Sequence, residues 1–299
     1  MVRSALETAP KNRQLSATVK DLHQEFSESV KDLKETQEWE KMLEGASKFH
    51  HYSLRNMMLI LRQNPEATQC AGYTTWKKLG YQVRKGEKGL KILAPRTLVE
   101  KDSQGNPRRN DAGDIIRKKV FGMATVFDAS QVSATDDAQP FPGALQNLGF
   151  DHSQRDSGIG ERLEQFITSR GWQVTRKPLG AVLGGYTSHQ SKHICINSDL
   201  LPTAQTKTLV HEITHALLHH DLAPQDYAHN HHNCRSIAET EAESVAYIVA
   251  QACGLDAAND SISYVANWSQ QDPKIIQSAA QNVQKTAHEI LAYLEKSLS

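Results

Sequence analysis

The chain has 299 residues, 38% of them hydrophobic and 23% charged, and its 34 basic and 34 acidic side chains cancel to a formal net charge of zero. It is long enough to bury a core in one domain or two, it contains no run of about 18 apolar residues that would span a membrane, and as a whole it is no magnet for polyanions. The opening Met1-Val2-Arg3-Ser4-Ala5-Leu6-Glu7 lacks the apolar centre of a signal peptide, and Cys70, Cys195, Cys234 and Cys253 show neither metal-ligand nor disulfide-framework spacing, so a reducing cytoplasm is the expected home.

Residues 15–48 read as a long polar helix or a helix pair, with Leu22, Phe26, Val30 and Leu33 at helical spacing. A more apolar helix is predicted over 53–63, ending before Pro65. Residues 71–80 predict a turn and short helix around Trp76, 85–89 a hairpin-like loop, and 90–95 a strand. The polar, glycine-dotted stretch 101–114 is a hairpin tip or loop before a returning strand at 118–127, and the Asp-, Ala- and Pro-rich stretch 133–143 is the best linker. Beyond it, the pattern predicts a helix at 160–170, strands at 172–175, 181–187 and 192–197, and helices at 208–218, 237–249 and 273–297. The expected fold class is α+β. Charge is uneven along this layout: from Arg55 to Arg96, nine basic residues stand against Glu66 and Glu87, and such a local basic face can bind phosphates in a neutral protein.

The segment richest in chemistry is His211-Glu212-Ile213-Thr214-His215 in the apolar run 208–218. Side chains four apart on a helix share a face, so two imidazoles can reach one ion with the glutamate beside them. Neutral histidines supply nitrogen ligands at about 2.0–2.1 Å, and a catalytic zinc takes a third protein ligand and keeps a position for water. Glu212 would be the general base. The plainer alternative is a polar stripe on an amphipathic helix.

A third ligand is expected on 237–249, where Ala238, Ala242, Val245, Ala246 and Val249 form an apolar stripe with Glu239 and Glu243 at its edge. Glu239 is assigned as the ligand and Glu243, one turn on, as the partner of a histidine's free N–H. Glu241 lies opposite on the helical wheel and reads as solvated. Two rivals follow the motif. Asp221 lies six residues after His215, but Leu218 stands where that ligand class needs a glycine; His219 stacks one turn after His215, and with His220, His229, His231 and His232 it reads as a solvated loop or rim residue. One Zn2+ is expected, with Mn2+ among the alternative divalent ions.

Four blocks occur in a set order: Phe49-His50-His51-Tyr52-Ser53-Leu54-Arg55-Asn56, Gly72-Tyr73-Thr74-Thr75-Trp76-Lys77-Lys78-Leu79-Gly80, Val83-Arg84-Lys85-Gly86-Glu87-Lys88-Gly89-Leu90-Lys91-Ile92-Leu93-Ala94-Pro95, and Val126-Phe127-Asp128-Ala129-Ser130-Gln131. Together they resemble the single-stranded-DNA-binding domain of ArdC-type antirestriction proteins. The second half resembles the zinc metallopeptidase domain that follows it there, related to ImmA/IrrE-type peptidases. Over about residues 15–299 the resemblance implies a DNA-binding domain at 1–137 and a zincin-like peptidase domain at 138–299. It also implies a bacterial protein carried by a plasmid or phage that binds single-stranded DNA and counters restriction of incoming DNA, with no membrane partner. The family's Glu-x-x-x-Glu helix is matched by Glu239 and Glu243, whereas Glu241 and the histidine-rich loop fit a sister subfamily better.

The residues of the first part can be read beside that resemblance. Single strands bind in basic grooves whose aromatic faces stack on unpaired bases, at about 1–3 kcal/mol per base. Arg55, Tyr73, Trp76, Lys77, Lys78, Arg84, Lys85 and Lys88 are the expected contacts, and Gly86 and Gly89 would let the backbone approach a phosphate. The plainer alternative makes Trp76 a core residue and the lysines a solvated face. Two function classes follow: a zinc endopeptidase addressed by a DNA-binding module to a protein or peptide substrate, or a binding protein that shields single strands around a structural or vestigial zinc site.

Overall fold

In the computed structural model, which describes residues 19–139, 158–220, 232–255 and 272–298, the polar stretch near the start is a helix pair, α1 (Val19–Asp32) and α2 (Thr36–Lys48). The architecture is mixed α+β throughout, and no helix among the described residues is long and apolar enough to cross a membrane. The described chain divides into two compact units, one of residues 19–28 and 58–139, the other of 29–57 and 158–298. The division falls within α1 and within α3 (Leu54–Gln63).

In the first unit β1 (Cys70–Gly72) leads into α4 (Tyr73–Lys78), and β3 (Leu90–Val99) pairs antiparallel with β4 (Arg117–Asp128) from Leu90 opposite Val126 to Val99 opposite Arg117. The sheet order is β1-β4-β3, so β3 is an edge, which is where Pro95 can sit without breaking a ladder. Leu22, Leu59 and Leu93 form a buried cluster against which Met123 packs. The hairpin-like loop expected at 85–89 is instead a crossover: β2 (Tyr81–Val83) pairs with β5 (Val132–Ala134) in a separate two-stranded sheet. The linker expected from Ser133 therefore begins inside a strand, and its residues 140–143 lie outside the described residues.

Asp128 ties these pieces together. Its buried carboxylate accepts from the Thr68 N–H at 2.7 Å, the Gln69 N–H at 3.2 Å and the Ser130 N–H at 2.8 Å. Gln131 completes the knot, its Oε1 accepting from the Asp128 N–H and its Nε2 donating to the Lys88 carbonyl and the Glu87 carboxylate. Buried N–H groups left without an acceptor each cost about 1–3 kcal/mol.

In the second unit Trp39, Met42, Leu43 and Ala46 form the buried stripe of α2, and the Trp39 indole N–H donates to Ser244 Oγ at 3.0 Å. The sheet order is β6-β8-β7, from β6 (Gln173–Lys177), β7 (Gly185–Ser188) and β8 (His193–Asn197), with β6 parallel and β7 antiparallel to the central strand. Ile194, Cys195 and Ile196 are all buried, as a central strand covered on both faces requires. The strand expected over 181–187 is shorter at its start: buried Asn197 donates to the Gly180 and Leu183 carbonyls, which holds that stretch as a loop. Three helices complete the unit with α5 (Ile159–Thr168): α6 (Pro202–Leu218), α7 (His232–Ala252) and α8 (Pro273–Leu298).

Strand β7 lies close against α6 because residue 185 is glycine. A Cβ there would stand 2.9 Å from the Cys195 oxygen and from Thr208 Cγ2, and 3.2 Å from Glu212 Cγ.

Asp128→Ala should destabilise the chain by about 2–5 kcal/mol in chemical denaturation, since three N–H groups lose one acceptor. Gly185→Ala should cost about 1–3 kcal/mol as the strand is forced off the helix.

Candidate metal centre and basic surface

From Leu209 to Ala216 almost every side chain of α6 is buried, Glu212 and His215 among them, because the helix is covered by the sheet and by its neighbouring helices. His211 Nε2 and His215 Nε2 face each other at 3.0 Å, and Glu239 Oε2 from α7 stands 3.5 Å from the first and 3.7 Å from the second. Donors around a tetrahedral ion at about 2.0–2.1 Å are separated by about 3.4 Å, so this trio has the spacing of a ligand set. Two imidazole nitrogens this close cannot both carry a proton, and at least one lone pair is turned inward.

Electrostatics reinforce the arrangement. Burial lowers the His211 pKa, but Glu239, Glu243 and Glu212 outweigh it and the value ends raised. Burial raises Glu239, yet its two histidines hold it well below the ordinary carboxylate range. Glu212 is pushed up by burial, opposed by Thr187, whose hydroxyl lies 2.7 Å from Glu212 Oε2 and 3.0 Å from its backbone oxygen. Glu243 Oε1 lies 3.4 Å from His211 Nδ1.

Glu241 and His219 correct the sequence-based expectation. Both are buried, not solvated. His219 Nε2 lies 2.8 Å from Glu241 Oε2, His219 Nδ1 lies 2.8 Å from His215 Nδ1, and Asn282 on α8 donates to Glu241 Oε1 at 2.9 Å. A carboxylate only accepts, so the His219 Nε2–H donates to it, which leaves the His219 Nδ1 lone pair to accept from a His215 Nδ1–H. That order leaves the His215 Nε2 lone pair facing Glu239 and His211. The wheel places Glu241 opposite Glu239 correctly, but the face it occupies is covered by α8. The signal for His219 was its place one turn after His215. His220 is exposed, while Asp221, His229, His231 and the side chain of His232 lie outside the described residues.

On the first unit, Lys77, Lys78, Lys85 and Lys88 are exposed and Tyr73 is 53% exposed. Arg84 is exposed but bonded to Glu87 and to the Ser130 carbonyl. Trp76 departs from the stacking expectation: it is 1% exposed, and its indole N–H donates to the Phe127 carbonyl at 2.9 Å. Arg55 is half-buried and belongs to the second unit. Gly89 does not serve phosphate approach, because Thr125 Cγ2, Phe127 Cε1 and the Val126 oxygen fill the space where a Cβ would go. On β4, Arg117, Lys118, Lys119 and Phe121 are also exposed.

Residues 17–127 match the family described as the N-terminal domain of anti-restriction factor ArdC, and residues 168–257 match the IrrE N-terminal-like domain of the Peptidase_M78 family. An uncharacterized protein of Bacillus anthracis, pXO2-81, is 27% identical over 293 residues, an alignment covering 87% of this chain and 49% of that protein. The chain thus spans about half the length of this relative. Crystal structures of the antirestriction ArdC protein from the R388 plasmid are also similar: the metal-free form at 19% identity and TM-score 0.45, covering 82% of this chain and 84% of that one, and the Mn(II)-bound form at 20% and 0.46, covering 81% and 83%. The chain thus carries a match to the ArdC amino-terminal domain followed in order by a match to the IrrE-like domain, and in this arrangement it matches the ArdC-like family.

Proposed function

We propose that the chain is a metal-dependent peptidase coupled to a single-stranded-DNA-binding domain, acting in the cytoplasm of a bacterium to protect incoming mobile-element DNA from restriction. The proposed domains are 1–137 for DNA and 138–299 for the peptidase. The convergence of His211, His215 and Glu239 beside buried Glu212 carries this reading. Two imidazoles and a carboxylate suit Zn2+, which when bound would supply Lewis acidity toward a water and a substrate carbonyl.

The chain's own residues do the rest. Glu212, held by Thr187, accepts a proton from the attacking water and passes it to the leaving amine. Strand β7 is an edge beside that carboxylate, so an extended peptide can add to it by main-chain hydrogen bonds. Glu243 orients His211, and the His219–Glu241–Asn282 chain orients His215. A purely structural ion would have no use for Glu212 and Thr187. On the first unit, Lys77, Lys78, Lys85 and Lys88 engage phosphates and Tyr73 stacks on a base. Phe121 offers a second stacking face.

For the metal, His211→Ala should abolish zinc binding, whereas Glu212→Gln should retain zinc and lose hydrolysis of an unfolded protein substrate. Glu239→Ala should weaken zinc more than Glu243→Ala, and His219→Ala or Glu241→Ala should cost about 10–100-fold in affinity. Equal zinc content in wild type and His211→Ala would falsify the ligand assignment.

For DNA, the full chain should bind single strands with little base preference and with affinity falling steeply with salt. Lys85→Ala with Lys88→Ala should weaken binding and flatten the salt slope, and Tyr73→Ala should weaken it at unchanged slope. Duplex bound as tightly as single strand would remove the DNA assignment.

A further inference from the structure

The second unit holds another convergence of two imidazoles and a carboxylate, from residues that the proposed peptidase site does not use. We infer that His50, His51 and Glu295 form a second divalent-cation site, suited to zinc. Glu295 Oε1 lies 2.9 Å from His50 Nε2 and 3.2 Å from His51 Nε2, and one ligand atom from each residue falls within 4.8 Å of the others. The donor set is that of the first site: two ring nitrogens and one carboxylate oxygen. For a tetrahedral ion the donors need separations of about 3.4 Å, so these contacts must open by only a few tenths of an ångström.

The backbone prepares this convergence. Phe49 caps α2, its N–H bonding the Gly45 oxygen, and the Tyr52 N–H returns to the Phe49 oxygen at 2.9 Å. That turn swings two adjacent side chains to one side, with ring centroids 4.1 Å apart. From α8, Gln284 donates to the Tyr52 carbonyl at 3.0 Å and reaches the Phe49 carbonyl at 3.4 Å. Gln284, His288 and Glu295 fall within about 40° of one another on the helical wheel, so one stripe of α8 faces the turn. His288 packs edge-on to His51.

Burial is graded across the trio. His50 is 1% exposed and its Nδ1 has no partner, so the contact of its Nε2 with Glu295 is the polar anchor of a ring otherwise held by packing. His51 and Glu295 are partly exposed, which leaves an entry path and room for water to complete the coordination. Without an ion, one carboxylate oxygen serves both imidazoles. With one, the turn and α8 are clasped together.

The test uses the full chain carrying His211→Ala and His215→Ala, which removes the first site and makes the result independent of it. After dialysis against chelator, calorimetric titration with ZnCl2 should still show one bound equivalent and zinc should raise Tm. Adding His51→Ala should abolish both effects, each measured against the metal-free Tm of the same variant. No zinc bound by the double variant would overturn the site, and so would binding undiminished by His51→Ala. If the double variant does not fold, wild type supplies the same measurement: two equivalents should fall to one with His51→Ala, and an unchanged count overturns the proposal.

Discussion

The orientation of one imidazole organises the second unit. His215 can turn its Nε2 lone pair toward Glu239 only if its Nδ1 carries the proton, and that proton needs a buried acceptor. His219 is that acceptor because Glu241 holds its other nitrogen, and Glu241 is held in turn by Asn282. Three helices, α6, α7 and α8, thus contribute to fixing one tautomer. Buried polar chains of this kind are worth having only when every member is satisfied, which ties the packing of α8 to the chemistry of α6.

The opposite side of the site is set by steric closeness. Gly185 brings the edge strand against Glu212, and Thr187, two residues on along the same strand, holds the carboxyl group. Backbone and side chain of one short strand therefore serve the same glutamate. The candidate base is positioned by β7, while the candidate ligands are positioned by the helices.

Periodicity made much of this visible in advance. Leu22, Phe26, Val30 and Leu33 mark a helical face, and the four-residue spacing of His211 and His215 places both rings on one side of α6. The helical wheel separates Glu239 and Glu243 from Glu241. What periodicity does not carry is which neighbour covers a face: Glu241 is opposite the ligand face as expected, yet buried, because α8 arrives from more than thirty residues later in the chain. The same limit explains Trp76, whose indole finds the Phe127 carbonyl from a distant strand. It explains β2 and β5 too: short strands paired across about fifty residues have no local signature.

The knot around Asp128 and Gln131 bears on the entropy of any encounter with the basic loop. Gln131 grips the loop at the Lys88 carbonyl and at Glu87, and Glu87 in turn holds Arg84. The backbone that displays Lys85 and Lys88 is thus ordered before a ligand arrives. A pre-ordered loop would sacrifice little chain freedom on association with an anionic ligand, so under the proposed function its grip would depend on charge more than on folding.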